Sequence, residues 1–231
     1  MATYNGSQYI QEQISSILSQ LSDNDEIIVI DDCSKDNTVE LLNSYNDPKI
    51  KVFSNHINCG VMKSFELGIM KAQNELIFLS DQDDIWQCNK VNVIISGFAN
   101  NPGLTFAFSD ATVIDSDKNV IDHSYMSMKG HKKIGFLNTI IRNPVLGCTI
   151  AFDSKIKNRI IPFPKKIPMH DMWIALIEFV YGKVLFINEP LILYRRHGNN
   201  VTGVRRSGWK NILLWRYNLI RCLIGRIIGV L

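Results

Sequence analysis

Apolar residues at Ile10, Ile14, Ile17, Leu18 and Leu21 recur every three or four positions, the spacing of a helix with one buried face. The period then changes. EIIVIDD, beginning at Glu26, is a short continuous apolar run and reads as a strand buried on both faces. TVELLNSY predicts a helix, KIKVFSN a strand, GVMKSFELGIMKAQ a helix again, and LIFLSD a second buried strand. This alternation is the rhythm of βαβ units, and it predicts a mostly parallel sheet covered by helices. The second half is less regular. LTFAFSDATVID with its DSDKN turn predicts an antiparallel addition, followed by NPVLGCTIAF, a helix over DMWIALIEFVYG and a strand over KVLFINEPLILY. Neither an internal repeat nor a low-complexity linker is evident.

In open parallel sheets, ligands bind beyond the carboxyl ends of the strands. Here IIVI runs into Asp31 and Asp32, and LIFLS runs into Asp81, Asp83 and Asp84, so both acidic clusters are expected on one rim. Carboxylates this close repel and raise the cost of ionising one another. They cannot hold an anionic phosphate directly, but Mg²⁺ or Mn²⁺ accepts oxygen from protein and diphosphate alike. Helix capping and turn formation, both favoured by Asp, compete with that role, most strongly at Asp36 and Asp84.

The chain's 231 residues are enough to bury a full core without disulfides. Its five cysteines are odd in number and contain no C-x-x-C pair, which indicates neither a disulfide framework nor a structural zinc site and fits a reducing cytoplasm. No secretory leader pattern opens the chain, and no run of about 18 or more apolar residues offers a membrane span. The net charge of +3 is small but unevenly spread: after Glu189 there is no acidic residue, while Arg195, Arg196, Arg205, Arg206, Lys210, Arg216, Arg221 and Arg226 all follow. Neither G-x-G-x-x-G nor G-x-x-x-x-G-K-[ST] occurs, which argues against a dinucleotide-dependent dehydrogenase and a P-loop phosphotransferase. A sugar nucleotidyltransferase shares the sheet and the metal chemistry, but ATYNGSQ lacks the Arg or Lys of a basic phosphate loop.

In order and spacing, MATYNGSQYIQEQISSILSQ, IIVIDDCSKDNT, LSDQDDIW and MHDMW resemble the motifs of family 2 glycosyltransferases of GT-A fold, from Met1 to about Gly203. SDQDDIW together with HDMW is similar to bacterial rhamnosyltransferases that build cell-wall, O-antigen and capsule polysaccharide. The resemblance implies an α/β, Rossmann-like GT-A domain over residues 1–203; the remainder, 204–231, reads by its own pattern as a basic amphipathic helix. It implies inverting, metal-dependent transfer of a sugar, L-rhamnose first, from dTDP-rhamnose or a UDP-sugar to a glycan or lipid-linked hydroxyl. Nucleic acid is not expected among the partners. A carbohydrate-binding relative without activity is the non-enzymatic alternative.

Residue by residue, the resemblance implies that Thr3 and Tyr4 contact base and ribose, and that Asp32, with Asp31 beside it, accepts hydrogen bonds from a pyrimidine. Asp81 and Asp83 would be the metal-associated Asp-x-Asp, with Asp83 the direct ligand, and His197 would complete the metal shell or touch the diphosphate. Arg195 and Arg196 would neutralise the leaving group, and Asp171 would be the catalytic base, its pKa raised by partial burial beside Trp173. Lys90 resembles a basic residue that often follows this Asp-rich motif, and is equally an exposed helix lysine. Trp173 is open between core and sugar stacking, and NPVLGCTIAF between a turn and the acceptor side. Members of the family carry an apolar strand just before ATYNG, so either the start is misassigned or a central strand is missing, which would leave its two neighbours without partners.

Within residues 209–231, Ile212, Leu213, Leu219, Ile220, Leu223, Ile224 and Ile227 share a helical face that Arg216 interrupts, with Trp209 and Trp215 available for an interface. Such a helix either packs on the protein or another subunit, or lies on an anionic membrane. The latter places the chain peripherally on the inner face of the plasma membrane.

Overall fold

The computed structural model describes residues 1–131, 133–198 and 208–229. Its first sheet is parallel, ordered β1 (Ala2–Thr3), β2 (Ile27–Asp31), β3 (Ile50–Ser54). The second contains β4 (Leu76–Phe78), β5 (Ile85–Trp86), β6 (Phe106–Ile114), β7 (Val120–Asp122), β8 (Ile150–Asp153) and β9 (Val184–Arg195). Its order is β4-β8-β6-β9-β5 with β7 paired to β6, and only β6 and β9 run parallel among the described residues. The helices are α1 (Ile10–Leu18), α2 (Thr38–Ser44), α3 (Val61–Lys71), α4 (Lys90–Asn100), α5 (Tyr125–Met128), α6 (Phe136–Ile141), α7 (Lys157–Ile160), α8 (His170–Tyr181) and α9 (Trp209–Ile227).

The periodicities explain these elements. α1 buries Ile10, Ile14 and Ile17 on one face, while β2 is buried at every position and so needs a continuous apolar run rather than an alternating one. α8 buries Trp173 through Ile177 without a break, because it lies between the second sheet and the C-terminal α9, whose Leu219 and Leu223 belong to the same core cluster. The expected boundary between residues 203 and 204, with Arg205 and Arg206, lies outside the described residues.

The two sheets do not pair with one another. Between β2 and β4 lies a cavity of about 470 Å³, lined by Met1, Ile28, Ile69, Ile77, Trp86 and Val91 among others. β2 gives its odd-numbered residues to β3, as in Ile27 N to Lys49 O and Asn55 N to Asp31 O. The even ones face β1: Ile30 N donates to Met1 O, and the Met1 amine donates to Ile28 O at 2.8 Å. One step back on that edge, Ile28 N faces the cavity. β4 turns Ile77 and Leu79 to β8, which leaves the backbone of Leu76 and Phe78 toward the cavity as well. The expectation of a missing central strand concerns this place, where β1 contributes two residues.

An extended apolar segment fits both the lining and the backbone edges of this cavity.

Candidate active site

A second cavity, of about 520 Å³, opens beyond the carboxyl ends of β2 and β4. Thr3, Tyr4, Asp32, Asp81, Asp83 and Asp171 all line it, so residues far apart in the chain face one space. β2 delivers Asp32 as it ends, the loop after β4 delivers Asp81 and Asp83, and the first turn of α8 delivers Asp171.

Asp32 is held in place by the loop that follows β3. Its Oδ1 accepts from Asn55 Nδ2 and Cys59 N, both at 2.8 Å, and its Oδ2 accepts from Gly60 N at 2.7 Å. A carboxylate accepts about four hydrogen bonds, so capacity for roughly one more remains on the cavity side. Asp31 is turned away and buried, accepting from Ser34 Oγ at 2.5 Å and Ser34 N at 3.1 Å. It builds the turn and does not line the cavity.

Gln82, in the middle of the Asp-x-Asp, is a residue that sequence reasoning missed. Its Oε1 accepts from Thr3 Oγ1 at 2.7 Å and from Tyr4 N at 2.8 Å, while its Nε2 donates to Tyr4 O at 3.2 Å. The latch joins the loop after β1 to the acidic loop after β4. It requires close approach at Gly6, where a Cβ would sit 2.4 Å from Gln82 Oε1. Gln13 on α1 supports the same loop from below, donating to Ser80 Oγ at 2.6 Å and to Asp81 O at 3.0 Å. Its place on the buried face of an amphipathic helix was the available signal.

Asp81 is pushed up to about 7, first by burial and then by the charges of Asp83 and Asp171. Asp84, fully buried behind it, is also raised by burial and by Asp83, and its Oδ1 accepts from Arg195 N at 3.0 Å. Asp83 Oδ2 is 2.7 Å from His197 Nε2, which joins two of the residues expected at a metal. Oxygen atoms of Asp81 and Asp84 and the Cys148 sulfur lie within 4.8 Å of one another. A hard cation prefers carboxylate oxygen to a thiol, and burial raises the Cys148 thiol well above its ordinary range, so Asp81 and Asp83 on the cavity wall fit Mg²⁺ or Mn²⁺ better than Cys148 does.

Three basic residues occupy different places from those expected. Arg195 is buried rather than facing the cavity: Nε donates to Asp83 O at 2.8 Å, Nη1 to Ser116 O at 3.0 Å and Nη2 to Glu12 Oε2 at 2.6 Å, with Tyr9 4.7 Å below the guanidinium. It braces the acidic loop instead of meeting a leaving group. Arg196 donates its backbone N–H to Ile114 O and is not among the residues lining the cavity. Lys90 is not an exposed helix lysine either. It is fully buried, donating to Cys148 O at 2.8 Å over the Trp86 ring at 3.9 Å, and burial pushes it down to about 7.

Across the cavity, burial raises Asp171 to about 6, against the opposing hydrogen bond from Met172 N. The expected indole neighbour is not the cause. Trp173 lies in the core, where its Nε1 donates to Ile160 O at 2.8 Å, so it cannot stack on a sugar. His170, also missed, lines the cavity and stacks on Phe65 at 4.1 Å, and burial lowers it to about 3 so that it is neutral. Gly147 permits this packing, since a Cβ there would lie 2.9 Å from His170 Nε2. Leu146, Gly147 and Cys148, within NPVLGCTIAF, form part of the wall.

The profile of glycosyl transferase family 2 matches residues 1–159. The chain belongs to that family. It is 29% identical over 180 residues to the Escherichia coli UDP-Glc:alpha-D-GlcNAc-diphosphoundecaprenol beta-1,3-glucosyltransferase WfgD, covering 77% of this chain and 68% of WfgD. It is 25% identical over 218 residues to the putative teichuronic acid biosynthesis glycosyltransferase TuaG of Bacillus subtilis, covering 90% of this chain and 81% of TuaG. Among solved structures, S. aureus TarS in complex with UDP-GlcNAc superposes with a TM-score of 0.72 at 18% identity, covering 98% of this chain and 65% of that one. The fold is therefore GT-A, and the chain spans about two thirds of the lengths of WfgD and TarS.

Asp171 also makes a stability prediction. Its folded pKa lies above its unfolded value, so ionising it costs stability as pH rises through about 6. Asp171→Asn, which keeps an acceptor for Met172 N, is expected to stabilise the protein by about 1–2 kcal/mol at pH 8. The gain should shrink to nothing below about pH 4, near the unfolded pKa of Asp. Urea unfolding at both pH values checks it, and equal or lower stability of the variant at pH 8 contradicts it.

Proposed function

We propose that this protein is an inverting, metal-dependent glycosyltransferase that moves a sugar from a UDP-sugar to a hydroxyl of a glycan or lipid-linked acceptor in bacterial surface polysaccharide synthesis. The observation that carries the reading is that Asp32, Asp81, Asp83 and Asp171 face one cavity. WfgD is named for a UDP-Glc donor and a diphosphoundecaprenol-linked acceptor, and TarS has been solved with UDP-GlcNAc and with UDP. The donors in these names support a UDP-sugar over the dTDP-rhamnose expected from SDQDDIW.

In this reading the loop from Ala2 to Tyr4, held by Gln82, and Asp32, held by Asn55 and Gly60, orient the nucleoside. Asp81 and Asp83 would hold Mg²⁺ or Mn²⁺, with His197 fixing Asp83 from behind. When bound there, the cation would supply Lewis-acid stabilisation of charge on the diphosphate. Asp171 takes the proton of the acceptor hydroxyl on a carboxylate oxygen. With a pKa of about 6 it is ionised at neutral pH and more basic than an ordinary carboxylate, a favourable compromise for a general base. Neutral His170 beside it adds no competing charge.

Asp83→Ala is expected to abolish Mn²⁺-dependent UDP binding measured by calorimetry; unchanged affinity removes the metal role. Asp171→Asn should bind donor normally while turnover falls on the order of 10²–10⁴-fold, so a fully active variant rules out that base. Activity should decline as pH drops through about 6, where Asp171 becomes protonated. A panel of UDP-glucose, UDP-GlcNAc and dTDP-rhamnose, read by nucleotide release, decides the donor.

A further inference from the structure

The C-terminal helix α9 is fastened to the protein by one face only. Leu219 and Leu223 are buried in the core beside α8, and the Arg226 guanidinium donates to Arg159 O, Ile161 O and Pro162 O above the Trp173 ring. Arg216 donates to Ile141 O of α6. These contacts fix the helix's rotation, so its other face is defined.

That outward face carries Trp209, Leu213, Tyr217, Ile220, Ile224 and Ile228, spaced by three or four residues. On α6, next to the Arg216 contact, Leu137 and Ile141 extend it, and all eight residues are between 41% and 71% exposed. Single exposed apolar residues are ordinary, but a continuous row along about 28 Å of helix is the mark of an interaction surface.

We propose that this face of α9 docks in the plane of an anionic lipid surface. Charge selects the occupant. α9 contains Lys210, Arg216, Arg221 and Arg226 and no acidic residue; Arg216 and Arg226 meet backbone carbonyls, and Arg221 lies exposed at the edge of the apolar row. A two-fold pairing with a second copy would bring two such cationic segments together, whereas anionic headgroups meet them with opposite charge. Insertion across the bilayer does not compete, because no described helix is long and apolar enough to cross one. Large apolar residues, with Trp209 and Tyr217 suited to the headgroup boundary and Arg at the edge, match a helix lying flat at that depth. The proposal does not depend on the reading of the cavity, since it needs neither donor nor metal.

The test is co-sedimentation of the full chain with vesicles of phosphatidylglycerol and phosphatidylcholine, and with phosphatidylcholine alone. Binding should be at least about tenfold tighter on the anionic vesicles and weaken with added salt. The exposed-face variant Leu213→Gln/Ile220→Gln/Ile224→Gln should lose binding on the order of 100-fold while keeping the parent's unfolding midpoint. Should that variant unfold, Leu213→Gln and Ile224→Gln tested singly keep the readout, each expected to weaken binding several-fold. Equal sedimentation with both vesicle types overturns the proposal. So does parent-like binding by the substituted proteins, or a dimer by light scattering that the same substitutions dissolve.

Discussion

The site rests on the burial of several carboxylates around one space, where desolvation first and mutual repulsion second oppose their ionisation. Asp81 and Asp83 stand on the wall of one cavity with Asp171 opposite and Asp84 buried behind; burial first and the charge of Asp83 next make Asp81 and Asp84 harder to ionise, while burial alone raises Asp171. Left to relax, such groups would separate or take up protons. They are kept together because the elements carrying them are anchored independently: β2 in a parallel sheet, the acidic loop between β4 and β5, and α8 across the core. The unfavourable charge is thus held in the fold, and in the proposed reading a divalent cation would relieve it.

The anchoring uses buried positive groups placed behind the cavity instead of within it. Arg195 ties the backbone of Asp83 to α1 through Glu12, and Lys90 sits beneath Cys148 against the Trp86 ring. Each is hydrogen-bonded where it is buried, Arg195 to Asp83 O, Ser116 O and Glu12 and Lys90 to Cys148 O, which offsets part of the cost of burying a charged side chain. Because these cations are committed to the protein, the cavity itself keeps its negative character. The same division of labour recurs at the loop after β1, where Gln82 spans two loops so that Thr3 and Tyr4 keep their place while Asp81 and Asp83 on either side remain directed to the open space.

α9 follows a different logic. Its inner face is paid for by the core, through Leu219 and Leu223, and its cations near α6 and α7 are spent on backbone carbonyls. What is left is an apolar row with basic character in a part of the chain devoid of acids. The packing that stabilises the helix also dictates which of its residues remain available to a surface.

Much of the fold was legible in the sequence, since hydrophobic period reports local geometry and burial together. The run before Asp31 marked β2, the spacing of Ile10, Ile14 and Ile17 marked α1, and the acids at strand ends marked the rim on which Asp32, Asp81 and Asp83 meet. Side-chain direction was not legible, because it depends on which neighbour a residue meets across the fold. Arg195 and Lys90 read as available cations until packing turned them inward, Trp173 was open between core and site until Ile160 O claimed its N–H, and Gln82 and His170 carried no periodic signal at all. Pattern along a chain determines which elements form and which face each one buries. Only the tertiary structure brings together residues from distant elements, and so decides which polar groups satisfy one another and which are left facing a ligand.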